Sequence, residues 1–144
     1  MKIDATKDFK RPRGKVFASF SDPARVDAVL GSVGTQLRRE GAGDVGSVWH
    51  MVVSVGGKER PVSVTLAERI AADTIRLAAT SDMVDVDMVF SFADMPDEGC
   101  KVTSEATLTP RTLAARVGLQ TLRLAKGKIE QRLVRAMTAL GKPG

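Results

Sequence analysis

Apolar and polar residues alternate along most of the chain between residues 35 and 109, and this two-residue period is the feature that most restricts the fold. It is clearest over residues 84–92, where Val, Met or Phe occupies every second position. Such a period predicts β-strands with one apolar and one polar face. Six strands are predicted here, over residues 35–40, 47–55, 62–70, 75–80, 84–92 and 101–108. The turns between them are too short for the crossover that parallel strands need, so we predict an antiparallel sheet.

Helical patterns lie on both sides of this run of strands. An opening strand over residues 2–9 is followed by two short predicted helices, at residues 16–20 and 23–30, with Asp22 as N-cap and Pro23 as first residue of the second. After Pro110, residues 112–141 predict one long helix, whose apolar stripe includes Leu122, Ile129, Leu133 and Leu140. The expected fold class is therefore α+β: a curved seven-stranded antiparallel sheet around one long C-terminal helix, with two short helices after strand 1.

The amino-acid composition excludes several kinds of structural and functional site. The 144 residues are expected to form a single domain over residues 1–144. One cysteine, Cys100, allows no internal disulfide, and one histidine, His50, allows no multi-histidine metal site, so we expect neither metal nor cofactor. No apolar run reaches the length of a transmembrane helix, and the charged N-terminus lacks the features of a signal peptide. We therefore expect a cytoplasmic protein.

The segment around the two short helices resembles a known superfamily. Residues 11–25 read RPRGKVFASFSDPAR, with a Pro-containing turn, a Val-Phe helix and an Asp-Pro start to the next helix. This pattern resembles the START-like or SRPBCC superfamily, which has the helix-grip fold and includes polyketide cyclase/dehydrase-like and lipid-binding relatives. The segment Val26-Asp27-Ala28-Val29-Leu30 lacks the Trp usual in the Hsp90-activator branch, and Leu30-Gly31-Ser32 replaces the Pro-Gly-Cys of the branch associated with carbon monoxide dehydrogenase, so no branch is assigned.

The resemblance implies a ligand pocket between the sheet and the long helix. The strand and helix periods predict the residues of its wall: Trp49, Met51, Val64, Leu66, Leu77, Val86, Met88, Phe90, Leu122 and Ile129. The competing interpretation is that these side chains fill a solid core. The leading hypothesis is a protein that binds a small hydrophobic or amphipathic molecule, such as a lipid, an isoprenoid or a polyketide, without catalytic residues.

A cyclase or dehydratase is the alternative, and it needs an acid or base inside the cavity. Four side chains are candidates for this role: His50, Arg38, Arg39 and Glu68. His50 is expected to face solvent if its neighbours Trp49 and Met51 face inward. Asp85 and Asp87 are predicted on the polar outer face of their strand.

Positive charge is concentrated at the C-terminus. Residues 111–144 carry eight Lys and Arg side chains and a single acid, Glu130. A third hypothesis is therefore an adaptor that docks on an anionic surface through this helix. A second apolar set of Leu113, Val117 and Leu124 could form a pocket lid or a homodimer contact. No strong signal for nucleic-acid binding is present.

Overall fold

The computed structural model describes residues 1–143, and its strands form one antiparallel sheet in the order β1-β7-β6-β5-β4-β3-β2. This confirms the predicted fold class. The elements in chain order are β1 (Lys2–Phe9), α1 (Arg13–Phe20), α2 (Pro23–Val33), β2 (Thr35–Glu40), β3 (Val48–Val55), β4 (Lys58–Ile70), β5 (Thr74–Thr80), β6 (Val84–Asp94), β7 (Cys100–Pro110), α3 (Leu113–Leu122) and α4 (Lys126–Gly141).

The corner between α1 and α2 forms as the sequence predicts. The Asp22 carboxylate accepts a hydrogen bond from the backbone N–H of Ala24 at 3.0 Å, and Pro23 opens the helix where a missing N–H costs least. Both helices are longer than predicted: α1 begins at Arg13, and α2 continues beyond Gly31 to Val33.

The C-terminal segment is helical but not one continuous helix. A single 3₁₀ turn at Arg123–Ala125 separates α3 from α4. Helix α3 packs against β7, whereas α4 packs against β1, α1 and α2. The apolar stripe that the sequence predicts for residues 112–141 as one helix is therefore divided between two helices that pack against different elements.

The densest part of the core lies at the β1–β7 end of the sheet. Val16, Val102 and Met137 are completely buried there. Phe20 packs edge-on against Phe90 and Phe92, with ring centroids 5.4 and 5.1 Å apart. The end of α4 is held to this cluster by Arg11, which donates a hydrogen bond to the Gly141 carbonyl oxygen at 2.7 Å.

Strand β4 contains a β-bulge that changes which side chains face inward. Leu66 pairs with Leu77, but the next pair is Glu68 with Arg76, so Ala67 is an extra residue. Beyond the bulge, Arg69 lies opposite the buried Ile75 and shares its inner face. Strict alternation predicts Glu68 and Ile70 on this face. That prediction is wrong, because both are exposed in the structure.

Candidate functional site

An apolar cavity of about 280 Å³ lies between the inner face of the sheet and helices α2 and α4. Strands β3 to β6 form its floor, and Val26, Val29 and Leu30 of α2 cover part of it. Helix α4 contributes Leu133, Ala136 and Leu140. The volume approaches the ~300–1,000 Å³ typical of small-molecule sites, which are concave and mostly apolar.

The structure places eight of the ten predicted wall residues around this cavity. They are Trp49, Met51, Val64, Leu66, Leu77, Val86, Met88 and Phe90. The alternation along β3, β4 before its bulge, β5 and β6 therefore assigns the inner face correctly. The role of these side chains in holding a ligand remains a prediction.

Leu122 and Ile129 do not line the cavity, and their predicted placement is corrected. Leu122 ends α3, which packs on β7 and is separated from α4 by the 3₁₀ turn. Ile129 is on α4 but only partly buried, and the wall begins one turn later at Leu133. The apolar face of α2 was visible in the sequence at Val26, Val29 and Leu30, but its contribution to the wall was not predicted.

The cavity exists because α4 covers the inner face of the sheet mainly at its β1 edge. It packs on β1, α1 and α2, so the centre of the sheet carries inward-facing side chains without dense cover. Leu77, Val86 and Met88 point to the apolar side of the sheet and yet remain only half-buried. Inward residues nearer β1, such as Val102, are completely buried. The core is therefore solid at one end and hollow at the other.

Arg69 is the one charged side chain on the cavity wall, counting residues 1–143 that the structure describes. Its guanidinium donates a hydrogen bond to the Gly43 carbonyl oxygen at 3.3 Å. Gly43 has φ +97°, and its backbone packs against the Pro23 ring at the start of α2. This polar end of the cavity joins the β2–β3 loop, α2 and β4. Sequence reasoning missed Arg69 because the bulge at Ala67 has no marker in the pattern.

Asp27 of α2 fixes the indole of Trp49 in the wall. Its carboxylate accepts a hydrogen bond from Trp49 Nε1 at 2.7 Å and lies 3.2 Å from a guanidinium nitrogen of Arg39. Arg39 shares the inner side of the sheet with Trp49, its partner across β2 and β3. Its guanidinium is engaged by Asp27, and it does not reach the cavity wall.

The other predicted acid–base candidates lie away from the cavity. His50 is on the outer face of β3, with Nε2 3.0 Å from Glu40 and Nδ1 3.2 Å from Ser63 Oγ. Arg38 is on the same side and donates to Glu40 at 2.9 Å. This hydrogen bond, reinforced by the nearby His50, lowers the pKa of the Glu40 carboxyl. Glu68, proposed as an inward carboxylate, points outward because of the bulge.

Three other side chains of chemically reactive types, Cys100, Asp85 and Asp87, have structural positions in the sheet. Cys100 is completely buried at the start of β7, and desolvation raises the pKa of its thiol. Asp85 and Asp87 lie on the outer face as predicted: Asp87 is 3.4 Å from Arg76, and Asp85 accepts from Thr80 at 2.7 Å.

Neither a metal-binding cluster nor a membrane-spanning helix occurs in the described part of the chain. Residues 1–143 contain no group of three His, Cys, Asp or Glu side chains arranged to hold a metal ion. No helix within the same residues is both long and apolar enough to span a bilayer.

Comparison with solved structures finds proteins of similar fold. No family model and no curated protein matches the chain. TTHA0849 from Thermus thermophilus aligns with a TM-score of 0.71 and 13% identity, over 98% of this chain and 94% of that one. Norcoclaurine synthase from Thalictrum flavum, solved in complex with dopamine and hydroxybenzaldehyde, gives 0.72 and 12%, over 98% and 84%. The Zhui aromatase/cyclase from Streptomyces gives 0.70 and 14%, over 98% and 92%.

These similarities extend over nearly the whole chain, and the low identities limit them to the fold. The aligned range covers nearly every element described above, from β1 to α4. The fold implied by the resemblance of residues 11–25 is confirmed: the chain has the helix-grip fold.

Proposed function

We propose that this protein binds a small hydrophobic or amphipathic molecule in the cavity beneath α2 and α4. The observation that carries the proposal is the cavity of about 280 Å³ whose wall is almost entirely apolar. Burying apolar ligand surface there contributes roughly 25 cal/mol per Å² before the costs of binding are subtracted. Met51 and Met88 in the wall are flexible and polarisable, and such side chains adapt to irregular ligand shapes.

The first experiment looks for a bound molecule directly. Native mass spectrometry of protein purified without detergent reveals any ligand that co-purifies, and displacement of a fluorescent fatty acid measures affinity in the ligand-free protein. Trp49 is the only tryptophan, the chain has no tyrosine, and this indole lies in the cavity wall. Its emission therefore reports cavity occupancy without a label.

A pair of substitutions on one helix tests whether the cavity is the binding site. Ala136 lines the cavity, whereas Ala139 on the same helix is exposed. Ala136→Phe fills part of the cavity and is expected to weaken fluorescent fatty-acid binding by at least about tenfold, a change of ~1.4 kcal/mol. Ala139→Phe adds the same side chain to the surface and should leave affinity unchanged. Equal affinities in both variants would place binding elsewhere.

A cyclase or dehydratase is a second candidate, because an aromatase/cyclase has the same fold and Arg69 lies in the wall. A guanidinium can stabilise negative charge on a substrate, but it does not act as a general base because it stays protonated. His50, Arg38, Arg39 and Glu68 are all away from the wall. Binding is therefore the better supported function. A ligand recovered with altered mass after incubation would favour the enzyme.

A docking function of α3 on an anionic lipid surface is also proposed, supported by an unusual exposed stripe. Leu113, Val117 and Leu124 are 76%, 58% and 91% exposed, although large apolar side chains are usually buried. Arg116 and Arg123 are exposed on the same segment. Apolar side chains interleaved with basic ones are typical of helices that lie in a membrane interface rich in anionic lipid.

Liposome co-sedimentation tests this docking proposal. Binding is expected to phosphatidylglycerol vesicles and not to phosphatidylcholine vesicles, to fall with added salt, and to be lost in Leu113→Ser/Val117→Ser. The matched control is Val55→Ser, because Val55 is 51% exposed at the distant β3–β4 hairpin. A stripe that instead forms a homodimer would give a concentration-dependent mass in light scattering and no vesicle binding, which would overturn the proposal.

A further inference from the structure

Arg69 differs from the other arginines of the sheet in having no acidic partner. Arg38 pairs with Glu40 and Arg39 with Asp27, at 2.9 and 3.2 Å. The two remaining pairs are Arg60 with Asp82 at 3.0 Å and Arg76 with Asp87 at 3.4 Å. Among residues 1–143, no carboxylate lies within ion-pair distance of the Arg69 guanidinium.

The surroundings of Arg69 make this absence significant. Its neighbour across the sheet is the buried Ile75, and it shares the cavity wall with Leu66 and Leu77. The guanidinium has five N–H donors, and the one hydrogen bond found for it goes to the Gly43 carbonyl, an uncharged acceptor. Arg69 is partly buried, and the apolar side chains that share the cavity wall with it offer its guanidinium no charged acceptor. The missing partner is therefore expected to come from the ligand.

We infer that the ligand is an amphipathic monocarboxylate, whose carboxylate pairs with Arg69 while its apolar body occupies the cavity. The inference rests on the proposed binding function and specifies its ligand class. A planar guanidinium matches the two oxygens of a carboxylate in a bidentate pair. A single arginine balances a single negative charge, whereas a dianionic phosphate would leave one charge uncompensated in apolar surroundings.

The geometry sets the direction in which the ligand lies. Arg69 and Gly43 form the polar end, beside Pro23 and Ile75. From Ile75 to Ala79 the wall follows β5 for roughly 13 Å, at ~3.3 Å per residue. Val86 and Met88 of β6 continue the apolar wall alongside it. An extended acyl chain anchored at Arg69 therefore runs along β5 towards Ala79.

The test compares decanoic acid with 1-decanol, which share the acyl chain and differ in the head group. Dissociation constants are measured by Trp49 fluorescence and by calorimetry at neutral pH, where the acid is ionised. Wild-type protein is expected to bind decanoate more tightly than 1-decanol. Arg69→Met should weaken decanoate by about 10- to 100-fold, the range for lost hydrogen bonds to charged groups, and leave 1-decanol within about twofold.

Two further variants complete the design. Arg69→Lys keeps the positive charge but lacks the planar guanidinium that binds both carboxylate oxygens. Its affinity for decanoate should therefore lie between those of the wild-type protein and Arg69→Met. Arg76→Gln removes a positive charge from the neighbouring strand on the outer face and should change neither affinity. Retained 1-decanol binding shows that the Arg69 variants are folded.

The outcomes separate this inference from the proposed function. If wild-type protein binds neither probe, the binding function itself fails. If it binds both equally, or if Arg69→Met weakens both equally, the cavity binds apolar molecules but Arg69 is not a carboxylate anchor. Only a loss confined to decanoate supports the inference.

Discussion

At the scale of single residues, Asp27 links helix α2 to the cavity wall through the Trp49 indole. Trp49 is almost completely buried, and the Asp27 carboxylate is the one hydrogen-bond acceptor found for its indole N–H among residues 1–143. A buried donor left without an acceptor costs about 1–3 kcal/mol. The contact of Asp27 with Arg39 is partly exposed on both sides and is expected to contribute less.

We therefore predict that Asp27→Ala lowers the free energy of unfolding by about 1–3 kcal/mol, whereas Arg39→Gln lowers it by less than about 1 kcal/mol. Urea denaturation followed by far-UV circular dichroism measures both. The Trp49 emission of the folded protein should shift in Asp27→Ala and stay unchanged in Arg39→Gln. Equal losses of stability would mean that the ion pair, and not the indole hydrogen bond, holds α2.

At the scale of elements, regular periods were predictable and interruptions were not. The alternation in β3, β5 and β6 correctly indicates which side chains face inward, because a strand without irregularity keeps its phase. Strand β4 loses this phase at Ala67, which is why Arg69 was missed and Glu68 was wrongly placed. The 3₁₀ turn at Arg123–Ala125 interrupts the C-terminal helix in a similar way, and it separates Leu122 from the part of α4 that reaches the cavity. Beyond that turn, the predicted stripe is correct for Leu133 and Leu140 and wrong for Ile129.

The β2–β3 loop provides a test of how the polar end of the cavity is built. Gly43 and Gly46 have nearly the same φ, +97° and +96°, so alanine is strained at both positions. An added Cβ at Gly43 would also overlap the Pro23 ring, whereas nothing lies within 4 Å of a Cβ at Gly46. Gly43 is also the residue whose carbonyl accepts from Arg69.

Gly43→Ala is therefore expected to destabilise the protein by about 1–3 kcal/mol more than Gly46→Ala, because overlap with Pro23 adds to the backbone strain. Thermal and urea unfolding of the two variants give this difference. It should be accompanied by weaker carboxylate binding in Gly43→Ala only. Identical stabilities would show that the loop moves freely away from α2.

At the scale of the whole molecule, the sequence predicts the fold more completely than it predicts the empty space inside it. Strand order and antiparallel pairing follow from short turns and a two-residue period. The volume of the cavity depends on where α4 lies across the sheet, and no local pattern encodes that position. The solid end, around Met137 and Val102, and the hollow end, around Leu77 and Met88, have similar apolar strand patterns.

This division of the core leads to a prediction about where shortening a side chain to alanine lowers stability most. Met137 is completely buried against the solid end, and Met137→Ala should cost about 2–5 kcal/mol because it leaves a new void in packed surroundings. Leu77→Ala should cost less, since one side of Leu77 already faces the cavity. Ile129→Ala should also cost less, because Ile129 is only partly buried and belongs to neither the central core cluster nor the cavity wall.

Chemical denaturation of the three variants, with and without saturating ligand, separates packing from binding. A ligand that occupies the cavity raises the free energy of unfolding by mass action. Met137→Ala should keep this increment, because the residue it removes is not in the cavity wall. Leu77→Ala should change the increment, because it alters the surface that the ligand contacts. If Leu77→Ala instead destabilises the ligand-free protein as much as Met137→Ala does, the hollow end is as tightly packed in solution as the solid end, and the cavity does not exist there as an open site.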